Sequence, residues 1–186
     1  MGYNVFANCH RLATVSFPLC TSIGYFAFSN CSSLTTVSFP SCTIIGSYAF
    51  SYCAKLTTAN FPLCSIVYDF AFANCRSLTT VSFPLCTIMV NSAFANCHSL
   101  TTVSFPSCTS IGYNVFSRCY RLLSLYLTGS SVASLLHSNA FSSTPIAGYT
   151  TSTGGVYGSI FVPSSLYATY IASTNWTYFS SRFVSV

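Results

Sequence analysis

Acidic side chains are almost missing from this sequence. Glutamate is absent, aspartate occurs once as Asp69, and charged residues make up 4% of the chain, against about 25% in an ordinary soluble domain. One carboxylate cannot make the pair that general acid–base or glycosidic chemistry needs. It is equally short of the oxygen ligands a calcium or magnesium cage requires. The eleven cysteines include no C-x-x-C spacing, so a zinc-finger reading fails at the first test. Long apolar runs are missing too. Ser, Thr and Pro interrupt every one, and none approaches the ~20 residues of a membrane helix. An enzyme, a bound cofactor, a bound metal and a membrane span are therefore not expected.

What is present is a repeat. Phe recurs at Phe6, Phe28, Phe50, Phe72, Phe94 and Phe116, and Leu at Leu12, Leu34, Leu56, Leu78, Leu100 and Leu122. Pro recurs at Pro18, Pro40, Pro62, Pro84 and Pro106. Every step is 22 residues, without insertion from Gly2 to about Leu127. A period in the twenties means stacked coils, each too small to bury its own apolar face. Within one unit, Leu34, Val37 and Phe39 alternate with Thr36 and Ser38, the pattern of a short strand that the following Pro ends. The half around Gly24 and Ala27 reads as a tight turn or a short 3₁₀ piece. Six coils at strand spacing make a rod roughly 29 Å long.

All eleven cysteines fall in two columns, Cys9 to Cys119 and Cys20 to Cys108. They read either as ladders of buried thiols acting as small hydrophobes or as disulfides between adjacent coils, which stacking distances permit. Stacked neighbours point the same way rather than at each other, which argues against bridging. Residues 1–12 carry no secretory signal and already stand in register, so the chain is expected to be either a fragment of a longer exported protein or one that starts mid-solenoid, in both cases with a first coil lacking a polar cap. After Ser124 the repeat decays. Asn139, Ala140 and Phe141 echo the Ala-Phe turn with about three residues inserted. Residues 143–158 read as a loop. Ile160, Phe161 and Val162 form one more strand before Pro163. Pro163 to Leu166 are expected to start a helix, with Leu166, Tyr170 and Ile171 sharing one face, and Trp176, Phe179 and Phe183 are expected to fold back on the last coil as a cap.

The unit I-G-x-x-A-F-x-x-C-x-x-L-T-x-V-x-F-P, seen from Ile23 to Pro40, resembles the BspA-type leucine-rich repeat, and the tail resembles the cap that often follows it. The resemblance implies a leucine-rich-repeat-like solenoid: a right-handed coil with a parallel β-sheet, short 3₁₀ or turn segments, and an α+β cap. Residues 1–127 are read as six repeats and 128–186 as a degenerate repeat and cap. It further implies an extracellular or cell-surface location and adhesion to a host or neighbouring-cell protein or glycan, with no catalytic residues. Fold similarity alone is a weak warrant for such a function.

Three surfaces are candidates for recognition. His10, Arg11, Lys55, Arg76, His98, Arg118 and Arg121 fall in or just before the two-residue gap between Cys and Leu, making a sparse basic stripe. It suits an anionic ligand, or it reflects loop positions tolerating charge. His10 and His98 adjoin Cys9 and Cys97, but with no acidic group to orient the imidazole a Cys–His nucleophile is not expected. Thr14, Thr36, Thr58, Thr80 and Thr102 form a hydroxyl ladder, either bonding across coils or binding ice or glycan. Tyr3, Tyr25, Tyr48 and Tyr113 lie in columns otherwise rich in Ser and Asn, the composition of binding surfaces or of ordinary turns. Nucleic acid is not expected, because the stripe has few charges and the strand face few aromatics. A homo-oligomer or filament stacked end to end through the first coil is the alternative to adhesion, since little charge repels a neighbour.

Overall fold

A computed structural model describes residues 1–186. Each coil has three sides. The first carries three-residue strands: β1 (Thr14–Ser16), β3 (Thr36–Ser38), β5 (Thr58–Asn60), β7 (Thr80–Ser82), β9 (Thr102–Ser104) and β11 (Ser124–Tyr126). The second carries two-residue strands: β2 (Ser22–Ile23), β4 (Ile44–Ile45), β6 (Ile66–Val67), β8 (Ile88–Met89), β10 (Ser110–Ile111) and β12 (Ser134–Leu135). Where successive strands pair they run parallel, offset by 22 residues as in Val15↔Val37 and Ile23↔Ile45, and from β10 to β12 by 24, as in Ser110↔Ser134. The second ladder runs unbroken from β2 to β12, an element of order the sequence reading did not single out.

The third side is a double turn with no 3₁₀ helix. Ala27 N–H donates to Gly24 O and Ser29 N–H to Phe26 O, and Phe26, which opens the second turn, and Asn30, which follows it, adopt left-handed backbone. Asn fills many of these positions because its short amide tolerates that region. The turns are laced between coils as well. Phe6 N–H reaches Ala27 O at 2.8 Å, and Phe28 N–H reaches Ala49 O at 2.7 Å. Here each coil donates forward along the chain. On the strand sides the bonds run both ways, backward from Thr35 N–H to Ala13 O and forward from Phe39 N–H to Asn60 O. Every side of a coil therefore has partners for its buried amides, as a dry core demands.

Two Phe columns fill the interior. Phe28 stacks on Phe50 at 5.1 Å and 4°, and Phe39 on Phe61 at 5.5 Å and 5°. The columns meet edge to face, as Phe61 and Phe72 do at 5.9 Å and 68°. Burial in both columns is complete in the middle coils, while Phe6 and Phe17 of the first coil are only half-buried. The thiols are free and also internal. They are more than small hydrophobes, because each of the two columns has a fixed acceptor. Cys53 Sγ donates to Phe28 O at 3.2 Å, and Cys42 Sγ to Ile44 O at 3.2 Å.

One junction differs. β7 and β9 lie side by side without pairing, so the first side splits into β1-β3-β5-β7 and β9-β11-β13-β14. Val81 is half-buried there, while Val37 and Val103 are buried, and the Phe83–Phe105 separation widens to 6.3 Å. The strand β13 (Ser159–Val162) and the strand β14 (Phe183–Ser185) extend the second block.

The cap forms as the tail suggested. Phe141, in the 3₁₀ segment Ser138–Phe141, stacks on Phe116 at 5.7 Å. A 3₁₀ turn, Ser164–Leu166, leads into α1 (Tyr167–Ala172). Trp176 is buried, with Nε1–H donating to Ala133 O at 2.7 Å. The Tyr170 hydroxyl accepts from Ala133 N–H at 3.0 Å, and the Asn175 amide donates to Leu135 O at 2.8 Å. These bonds fix the cap against β12 and its approach. No helix is long and apolar enough to cross a membrane.

Candidate recognition surfaces

The turn edge exposes an aromatic ridge. Tyr3 is 78% exposed and Tyr25 is 41% exposed, their rings 6.4 Å apart. Tyr25 rests on Phe26 at 4.9 Å. Tyr48 is no free anchor. It is half-buried between Phe26 and Phe70, at 4.7 and 4.8 Å and within 10° of parallel. The stack explains why bulky residues occupy left-handed positions there: ring contact offsets the strain. Tyr113 is exposed and lies 5.6 Å from His137. Tyr68, which the sequence reading passed over, closes a shallow trough of about 290 Å³ with Tyr3, Gly24, Tyr25, Gly46 and Ser47. Glycine is required on its floor, since a Cβ on Gly24 would stand 2.5 Å from Gly2 O. Tyr68 stands where the three preceding coils have Gly, which was the available signal.

The threonine ladder is interrupted. Thr14, Thr36, Thr58 and Thr80 are paired in register, but Thr102 belongs to the second block and pairs with Ser124. The cross-coil hydroxyl bonds belong to other columns. Thr35 Oγ1 donates to Ala13 O at 3.2 Å, Thr57 Oγ1 to Thr35 O at 3.0 Å, and Thr43 Oγ1 to Thr21 O at 3.1 Å.

The basic residues do not form one continuous stripe. His10 and Arg11 stand alone in the first coil, where Ser32 and Ser33 separate them from exposed Lys55. Arg76, His98, Arg118 and Arg121 gather in coils four to six. His98 lies 4.8 Å from Tyr120, and Tyr120 lies 5.3 Å from Tyr149. Burial first, then the charges of Arg76 and Arg118, lower the His98 pKa. Arg182 is occupied, its guanidinium 3.9 Å above the Tyr157 ring. The thiol beside His98 is no nucleophile. Cys97 is buried, donates to Phe72 O at 3.2 Å, and burial drives its pKa well up, whereas a reactive cysteine needs an electropositive, accessible site. No group of three or more His, Cys, Asp or Glu side chains is placed to hold a metal ion.

The family model for the BspA type leucine rich repeat region matches six copies, over residues 1–123 and 43–167. The chain belongs to the BspA-type leucine-rich repeat family. Among solved structures, it is similar to a leucine rich cell surface protein of Faecalibacterium prausnitzii, with 24% identity and a TM-score of 0.52, over 89% of this chain and 59% of that one. It is likewise similar to the leucine-rich repeat protein of T. pallidum, with 21% identity and a TM-score of 0.52, over 82% of this chain and 63% of that one. These likenesses concern the fold, and the chain spans less than two thirds of either protein. No curated protein sequence matches it.

Proposed function

We propose that this chain is a non-enzymatic recognition module of a surface protein, holding a protein or glycan through its repeat surface. The observation that carries the reading is the turn-edge ridge: exposed Tyr3, Tyr25 and Tyr113, with Ser47, Asp69 and Asn91 between them, on a hydrogen-bonded frame. Rigid aromatics with adaptable small polar neighbours bind with little ordering cost. Family membership supports it, as does the resemblance to a bacterial protein described as a cell surface protein. The test is an array of glycans and extracellular-matrix proteins probed with wild type and with a Tyr3→Ser, Tyr25→Ser, Tyr113→Ser variant. A hit lost in the variant is expected. Binding unchanged in the variant, or no hit at all, refutes it.

A second reading is end-to-end association. It is favoured by the scarcity of charge, one acidic and six Lys or Arg side chains in 186 residues, which leaves little to repel a neighbouring copy. Sedimentation at rising concentration checks it, and a monomer throughout dismisses it.

A further inference from the structure

A second concentration of chemistry lies on the edge between the double turn and the long strand, in coils four to six. Arg76, His98 and Tyr120 occupy one column, Tyr149 continues it, and Arg118 and Arg121 flank it. The three arginines are exposed, and they are half of the six Lys and Arg residues in the chain. The only acidic side chain, Asp69, stands on the ridge, where the Asn91 amide donates to it at 3.1 Å. Three guanidiniums thus share one edge with no carboxylate side chain beside them.

Arg118 offers a way to test the cluster. Its φ is +59°, in the column where coils one, two, four and five place Asn8, Asn30, Asn74 and Asn96. Asn tolerates left-handed backbone and Arg does so at a cost. Coil three places Tyr52 in the same column at φ +60°, so the strain marks no site by itself; it makes Arg118→Asn a substitution that relieves the backbone while removing one guanidinium.

We propose that Arg76, Arg118 and Arg121, with His98 and Tyr120 between them, form a site for an anionic polysaccharide, a sulfated or uronate-bearing chain lying across coils four to six. The strip is roughly 15 Å long at strand spacing, too narrow for the ~800 Å² that a folded acidic partner would have to cover. A linear polymer fits it. The rings already lean on one another, so they offer few free faces for bases to stack on, which nucleic acid would need. Guanidiniums suit sulfate and carboxylate by paired hydrogen bonds. Arg76, Arg118 and Tyr120 are the charged and titratable groups around His98. An anion neutralising the arginines relieves their repulsion of the imidazolium, so binding strengthens as pH falls and His98 takes up a proton.

This site is separate from the tyrosine ridge, and its failure leaves that reading standing. The test is calorimetry on the full chain at physiological ionic strength, with a short heparin oligosaccharide, hyaluronan of equal length and an oligo-dT. Binding to heparin alone assigns sulfate, and binding to both glycans assigns any regular anion. Arg118→Asn is expected to raise the melting temperature by relieving the backbone and to weaken binding about ten-fold. That pairing excludes misfolding as the cause. Arg11→Ser with Lys55→Ser removes the same kind of charge elsewhere and is expected to change affinity less than about two-fold. Affinity should rise between about pH 7.5 and about pH 5.5 in wild type and stay level in His98→Gln. Equal or tighter binding of oligo-dT, no glycan binding, equal loss in the Arg11/Lys55 variant, or an unaltered pH response in His98→Gln would each overturn the proposal.

Discussion

Twelve non-glycine residues of the six coils hold left-handed backbone, two in each coil. Six are Asn, and Tyr52, 54% exposed with φ +60°, has no aromatic partner to offset its strain. Tyr52→Asn should therefore stabilise the fold by about 1 kcal/mol, read as a raised midpoint in chemical denaturation. Phe26→Asn should bring no such gain, because it removes a face of the Tyr48 stack. The thiols make a second prediction. Burial raises the Cys31 and Cys42 pKa to about 11 and that of Cys64 and Cys108 to about 12, and it pushes Cys53, Cys75, Cys86 and Cys97 up as well. Between about pH 9 and these raised values, the folded state holds protons that the unfolded state has released. Stability is then intact below pH 9 and falls as pH rises beyond it. Melting temperatures measured across that range should drop steeply, and a flat profile would contradict the thiols' burial. The two Cys columns were evident in the sequence. Their carbonyl acceptors were not, because one column reaches back to the preceding coil, as from Cys53 to Phe28 O, and the other to a carbonyl two residues on, as from Cys42 to Ile44 O, and both depend on how the coil closes.

At the scale of the element, the Phe columns are continuous and every ring is shared by neighbours. Phe72→Ala should cost about 3–5 kcal/mol, and the same change at half-buried Phe17 markedly less, as denaturant midpoints would record. The long strand, the closing Pro, the Ala-Phe turn of the seventh coil and the aromatic cap were legible because each leaves a mark at fixed spacing. The two-residue strands were not, since two residues carry no periodicity. Nor was the gap between β7 and β9. Thr80, Val81 and Ser82 have the same sequence as Thr102, Val103 and Ser104, so nothing local announces that these strands fail to pair. The basic stripe was legible as a column, but its division into a lone first-coil pair and a C-terminal cluster emerged only with Tyr120 and Tyr149 in place. Hydrogen exchange tests the gap: amides facing it on β9 should exchange faster than their counterparts on β5.

For the molecule as a whole, contacts run only between successive coils, so stability sums over coils and interfaces. Removing residues 46–67, one full period, should leave a folded protein. Phe39 would then stack on Phe83 in place of Phe61, and Tyr68 would follow Ile45 directly, opening the next coil where Gly46 did. The deletion variant should show native-like circular dichroism and a lower melting temperature. Loss of cooperative unfolding would mean that the coils are not interchangeable. Removing 11 residues instead should abolish folding, since strands would face turns.

The unpaired edge between β7 and β9 also sets how the rod carries load. Elsewhere, neighbouring coils are laced along three sides. At this junction the turn side and the two-residue strands hold, helped only by the Ser107 hydroxyl donating to Pro84 O at 2.8 Å. Tension along the axis concentrates there, and the junction yields by opening about the two remaining ladders while the four coils before it and the capped block after it stay folded. Under pulling, the chain should lengthen first by a small reversible step at its middle, well before any coil unravels from an end.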